Sequence, residues 1–315
     1  MSSFDEYFNF LITEQRSAYL GLEDGNLFAK PNNKRKLISK IFLERMRKNG
    51  VEVPDDSYEG LSHSIKNLPS QLADKLSLVN LAPPPGIQWL GRKKGLFFDI
   101  RTADDFEDCI DRSQFNLRDG CKYLDFGCAS GRTLRTFASA LPECDWYGCD
   151  PVPSSMKWAS STFPNIKFFT NPELPPLDIE SDTFDGIYAA SIWTHFREDV
   201  ALQWFDEMYR ILKPYGFLLF TAAGYQAVLG RYKGDKNRSN NPIHLESLLK
   251  LDNKGFFFYP AYEEKGMGDL NTSHWGLACI SPIWVLNKLS GRWAVRYFEA
   301  QKYWNRQDVY VLQKI

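Results

Sequence analysis

The sequence predicts a doubly wound α/β fold on a seven-stranded sheet with an antiparallel C-terminal strand and a helical N-terminal extension, and three observations carry that prediction. From Lys122 onward, short apolar runs alternate with amphipathic stretches of helical spacing, the pattern of a parallel sheet with right-handed crossovers. The first of these runs ends in an acid followed by a turn of glycine and small residues, Asp125 to Gly131, that opens a helical stretch. The last two runs are joined only by residues 301–307. That link is too short for a crossover helix and predicts an antiparallel hairpin.

In chain order, strands are predicted over 122–126, 145–149, 166–169, 184–189, 217–221, 293–300 and 308–313, with helices over 131–140, 154–162, 200–212 and 282–289. Two boundaries have local signals. Lys213-Pro214-Tyr215-Gly216 reads as a helix end, a cationic last turn followed by Pro and Gly. Ser281-Pro282 has the form of an N-cap followed by proline at the first helical position. A short helix is expected over 104–109 and a turn over 116–120.

Residues 1–100 read as a helical extension. Amphipathic stretches cover 4–19, 34–48, where Leu37, Ile38, Ile41, Phe42 and Met46 share a face, and more weakly 58–78. Pro83-Pro84-Pro85-Gly86 marks a boundary, because successive prolines fix φ and remove donors. The second unit spans 101–315 and carries an insertion at about 222–280, with aromatics over 256–262 and glycines at Gly266 and Gly268. Inserts of that length in compact domains serve as lids or binding loops, although the aromatics equally suit plain packing.

The 38 basic residues nearly cancel the 39 acidic ones, giving a formal charge of -1. No electrostatic footprint for nucleic acid results. The six cysteines form no C-x-x-C pair and have no histidine cluster nearby, so neither a metal site nor a disulfide frame is expected. The N-terminus lacks the features of a secretory leader, and no apolar run approaches membrane-spanning length. The expected setting is reducing and cytoplasmic.

The turn after the first strand carries the chemistry. Its small residues let backbone approach a ligand closely, and the free N–H groups of the following helix favour a carboxylate or phosphate. A second acid, Asp150, ends the next strand, where a ribose-binding carboxylate is expected in a doubly wound fold. The pair fits either a dinucleotide or S-adenosylmethionine. A nicotinamide site expects G-x-G-x-x-G, but Ala129 and Arg132 stand at the second and third glycine positions. An acid two residues before the first glycine, Asp125, is better explained by the ammonium group of an amino acid moiety.

LDFGCASG, the acid in YGCDPV, FDGIYAASIWTHF and ALQWFDEMYRILKPYGFLLFTAAG resemble the successive motifs of class I S-adenosylmethionine-dependent methyltransferases. More narrowly they resemble a bacterial small-molecule group of type 11/12, over Lys122 to the C-terminus. The resemblance implies a Rossmann-like domain binding S-adenosylmethionine and releasing S-adenosylhomocysteine. It places Asp125, Gly127, Ala129 and Gly131 along the methionine and ribose part, Asp150 on the ribose hydroxyls, Val152 on the adenine face and Asn171 at the adenine amino group. Cys128, Pro151 and Ser191 complete the implied set, and Cys128 and Cys149 read as small core-facing hydrophobes. Tyr215 departs from the usual glycine of the K-P-G-G turn, and Ala222-Ala223 are smaller than expected.

Methyl transfer from a sulfonium is an in-line displacement in which positioning supplies most of the catalysis. An oxygen acceptor also calls for a base. His195, after the fourth strand, is the first candidate, with bracing of the next helix as its structural alternative; His274 beside Trp275 is the rival. His63 and His244 stand in polar surroundings and are expected to be solvated. The insertion and the N-terminal helices are expected to close over an acceptor such as a sugar, lipid or natural-product precursor. The basic run from Arg231 to Arg238 reads as a solvated loop or as an attractor for an anionic acceptor such as a phosphorylated sugar.

Two rival classes differ in sequence. A nucleic-acid amino-methyltransferase would carry Asn/Asp-Pro-Pro-aromatic after the fourth strand, where this chain has Ala190-Ser191-Ile192-Trp193. A non-catalytic S-adenosylmethionine-binding module partnering a glycosyltransferase would keep Asp125 and Asp150 without acceptor turnover.

Overall fold

The computed structural model describes residues 36–69, 72–73, 95–234, 242–260 and 274–315. The expected helix over 4–19, the proline turn at 83–86 and the glycines at 266 and 268 lie outside them. The helices of the described N-terminal part are α1 (Leu37–Lys48), α2 (Tyr58–Lys66) and α3 (Leu96–Arg112). There follow β1 (Lys122–Phe126), α4 (Arg132–Ala140), β2 (Asp145–Asp150), α5 (Pro153–Thr162), β3 (Lys167–Thr170), β4 (Phe184–Ala189), α6 (Glu198–Ile211) and β5 (Leu212–Ala222). The remainder is α7 (Tyr225–Gly234), α8 (Pro242–Lys254), β6 (Phe256–Tyr259), β7 (Leu277–Ile280), α9 (Pro282–Leu289), β8 (Trp293–Tyr303) and β9 (Gln307–Lys314).

The seven-stranded sheet has the order β3-β2-β1-β4-β5-β9-β8. Neighbours from β3 to β5 are parallel, and β9 runs antiparallel to both β5 and β8. This is the doubly wound sheet with the antiparallel C-terminal strand that the short 301–307 link predicts. Strand order reverses at β1, whose neighbours are β2 and β4. Ligands of such sheets bind in the crevice at that point, beyond the C-terminal strand ends.

Both faces of the sheet are covered, so its strands are apolar on both sides. On β5, Leu218 and Phe220 join one core with Trp204 and Phe205 of α6 and Trp284 of α9. Phe217 and Leu219, pointing the other way, join Phe106 of α3 and Leu134 and Phe137 of α4. Ile38, Phe42, Met46 and Leu61 of α1 and α2 belong to that second core. The described N-terminal helices are therefore built into the domain, and α3 runs across the expected boundary at 100/101.

The expected helix over 104–109 is 17 residues long in the structure. Its acids mask the apolar period because they are buried and paired. Asp104 accepts from the Ser39 N–H at 3.1 Å and the Tyr58 hydroxyl at 3.3 Å, while Asp108 holds Arg112 and Lys302, each at 3.0 Å. The helix after β4 stops at Ile211, and Lys213–Gly216 opens β5 instead of ending the helix. A register shift between Phe184 and Gly186 and a left-handed Tyr215 at φ 65° absorb the kink. Ser281 caps α9 as expected, its Oγ accepting from the Trp284 N–H at 3.2 Å.

Candidate active site

The turn between β1 and α4 is held in a backbone shape that its residue types permit. Gly127, Ala129 and Gly131 all have positive φ, at 78°, 49° and 71°. A Cβ at Gly127 would collide with the Ile192 side chain, and one at Gly131 would press on the Phe168 ring. The Gly127 and Cys128 N–H groups both donate to Cys149 O at 2.9 Å, tying the turn to the end of β2.

Asp150 braces the same turn. One carboxylate oxygen accepts from the Ala129 N–H and the other from the Val152 N–H, each at 3.0 Å. Burial pushes its pKa up to about 6 against those two hydrogen bonds. Asp125, only 4 % exposed, is pushed up by burial to about 8, with the Asp150 charge adding to the shift. The Tyr188 hydroxyl beside it favours the anion, although its geometry falls short of a hydrogen bond.

Asp125, Gly127, Cys128 and Ala129 open into a cavity of about 680 Å³, within the range of small-molecule sites. Ser191, Thr194 and His195 beyond β4 form a second wall, Gln226 and Arg231 of α7 with Leu277 and Ala278 of β7 a third, and the β8–β9 turn a fourth. Gly131, Asp150, Pro151, Val152 and Asn171 do not line it. They lie toward the β2 and β3 side of the turn, where the Asn171 N–H donates to Asp150 O at 3.3 Å. The Asn171 amide nitrogen donates to Pro172 O at 2.7 Å, and its Oδ1 is buried without a hydrogen-bond partner.

Ser191 is fixed in left-handed backbone at φ 63° by a network that joins three strand ends. Its N–H donates to Thr221 Oγ1 at 2.7 Å, that hydroxyl donates to Gln307 Oε1 at 2.6 Å, and Gln307 Nε2 donates to Ser191 Oγ at 2.9 Å. Backbone strain held by such a network is typical of binding sites.

His195 is anchored by the insertion. Gly276 N–H donates to His195 O at 2.8 Å, and His195 Nδ1 lies 2.9 Å from Gly276 O. A carbonyl only accepts, so Nδ1 carries the proton and Nε2 carries the lone pair. Burial lowers the ring's pKa, opposed by the Gly276 bond and assisted by the Arg231 charge. The neutral, basic form is therefore favoured. His274 does not line the cavity. His244, expected to be solvated, is instead buried at 7 % exposed.

Cys128 and Cys149 are buried, and burial raises both thiols well above their usual range, as befits core residues. The sequence reading missed Asp99, Arg132 and Arg135 as a unit. Asp99 accepts from Arg132 at 2.6 Å and from Arg135 at 2.7 Å, joining α3 to α4 at the cavity edge. Tyr188 and Gln307 were also missed, and only Arg132, standing in a glycine position, carried a signal. Among the described residues no helix is long and apolar enough to cross a membrane, and no group of three metal-ligating side chains is present.

Comparison with known proteins adds an independent finding. Residues 124–216 match the model of a family described as a methyltransferase domain. No curated protein matches the chain in sequence. Similar solved structures include an S-adenosylmethionine-dependent methyltransferase from Methanosarcina mazei, 16% identical with a TM-score of 0.47, covering 63% of this chain and 94% of that one. Another, from Clostridium acetobutylicum, is 12% identical with a TM-score of 0.42, covering 67% and 90%. PKMT2 from Rickettsia typhi, in complex with AdoHcy, is 13% identical with a TM-score of 0.42, covering 67% and 52%. The family match spans the turn and both acids, so the segment that builds this site is similar to a methyltransferase domain.

Proposed function

We propose that this enzyme methylates an oxygen of a small-molecule acceptor, a sugar, lipid or natural-product precursor, with His195 as general base. The observation that carries the reading is that the Asp125 turn and His195 open into one cavity. The cofactor supplies an electrophilic methyl group on a sulfonium. Asp125 meets its ammonium group, while Gly127, Cys128, Ala129 and Gly131 let the backbone approach. Asp150 receives the ribose hydroxyls on the lone pairs that the Ala129 and Val152 N–H groups leave over, and Pro151 and Val152 flank the base.

Two features support the fit to an adenosyl amino acid. A buried acid held up at about 8 suits a cationic partner that stabilises its anion. The unpartnered Oδ1 of Asn171 suits a donor such as an adenine amino group. Ser191, held by its network, completes the cofactor set, and on the acceptor side the insertion supplies the wall that orients His195. Nε2 of His195 takes the proton of the acceptor hydroxyl as the methyl group is transferred.

The test is a screen of hydroxyl-bearing small molecules for conversion of S-adenosylmethionine to S-adenosylhomocysteine. With an acceptor found, His195→Ala should slow turnover by about 10²–10⁴-fold, with S-adenosylhomocysteine affinity by calorimetry unchanged. A fully active variant refutes the base assignment.

A further inference from the structure

The charges around the cavity are unevenly matched. Its lining carboxylates are Asp99 and Asp125. Asp99 already holds Arg132 and Arg135, and Asp125 is assigned to the cofactor's ammonium in the reading above, on which this inference rests. Among the described residues, two lining arginines have no such partner. Arg231 of α7 donates from Nη2 to the Cys279 thiol at 3.2 Å and from Nε to Ala227 O at 3.3 Å, both uncharged acceptors. Arg306, in the β8–β9 turn, forms no side-chain hydrogen bond or ion pair with the described residues. Both side chains are exposed, yet both border the cavity that His195 borders, and the Arg231 charge reaches His195.

We propose that the methyl acceptor carries an oxyanion, a carboxylate or a phosphate, bound by Arg231 and Arg306 in the cavity that His195 also lines. A guanidinium presents a planar fork of donors that matches either group in bidentate fashion. The cofactor is itself cationic at sulfur, so an uncharged acceptor would leave positive charge gathered in one chamber. An anionic acceptor balances it and is drawn into the cleft. Arg231 and Arg306 thereby select the acceptor, while the reacting hydroxyl on the same molecule is presented to His195.

The test uses the full chain saturated with S-adenosylhomocysteine and three probes of one shape: benzyl alcohol, benzoate and phenyl phosphate. Binding is followed by ligand-observed NMR and calorimetry. An anionic probe should bind about tenfold more tightly than the alcohol, as expected for charge-assisted hydrogen bonds. The better of benzoate and phenyl phosphate tells which oxyanion the acceptor bears. Arg231→Gln and Arg306→Gln should each reduce that preference severalfold, and Arg231→Lys should restore part of it, all with S-adenosylhomocysteine affinity unchanged. Equal retention of the three probes, detectable or not, overturns the proposal, as does a preference that survives both glutamine variants. Failure of the wild-type chain to bind S-adenosylhomocysteine would instead strike at the cofactor reading.

Discussion

Cofactor binding should be coupled to loss of a proton from Asp125. Burial holds that carboxyl at about 8, with Asp150 raising it further and the Tyr188 hydroxyl lowering it. Tyr303 of β8 and the Cys128 thiol face it as further titratable groups, both raised by burial. Below pH 8 the ligand-free enzyme carries Asp125 as the neutral acid, whereas an ammonium group calls for the anion. Each pH unit below that value then costs up to 1.36 kcal/mol, about tenfold in affinity. Between pH 8 and pH 6 the affinity for S-adenosylhomocysteine should fall by about 50-fold, since half of the carboxyl is already protonated at pH 8, with protonation of Asp150, held at about 6, adding to the loss at the acid end. Calorimetry at pH 7 in buffers of differing ionisation heat should show nearly one proton released per ligand bound. Asp125→Asn should bind weakly and with a flatter pH profile. Affinity in the wild type that is constant from pH 6 to 8, with no proton released, would refute the reasoning.

Asp150→Ala should weaken S-adenosylhomocysteine binding by about 3 kcal/mol, two charged hydrogen bonds at about 1.5 each, and calorimetry checks it. The same variant leaves the Ala129 and Val152 N–H groups without their acceptor, so its melting temperature should fall as well, whereas unchanged affinity would remove Asp150 from the site. Asp99→Ala strands two arginines at a carboxylate site only 2 % exposed. It should destabilise the fold by about 3–5 kcal/mol, read by urea unfolding, and a loss below 1 kcal/mol would show that water replaces the carboxylate there.

The unfolding of the ligand-free enzyme should also depend on pH. Asp125 and Asp308 are raised by burial to about 8 and about 7. A raised folded-state pKa means stability that is present below the ordinary carboxylate range and is lost as pH climbs through the folded value. The ligand-free melting temperature should therefore decline between pH 5 and 8, and saturating S-adenosylhomocysteine should offset that decline. A ligand-free melting temperature that rises across the window contradicts the burial argument.

What the sequence by itself determined is local or periodic. The acid-ended β1, its turn of glycine and small residues, Asp150 at the end of β2, the cap at Ser281 and the β8–β9 hairpin all depend on neighbours a few positions away. Only the tertiary structure decided the rest. The Asp99 contacts with Arg132 and Arg135 span 33 and 36 residues, the anchoring of His195 by Gly276 spans 81, and the Ser191–Gln307 bond spans 116. No local period encodes such pairings, because they exist only once the sheet has brought strand ends together. The acids of α3 show the same limit in reverse. Asp104 and Asp108 interrupt the apolar period, which leaves only a short helix over 104–109 to be expected, yet they are buried because Ser39, Tyr58, Arg112 and Lys302 reach them. A buried charge is legible only with its partner in view.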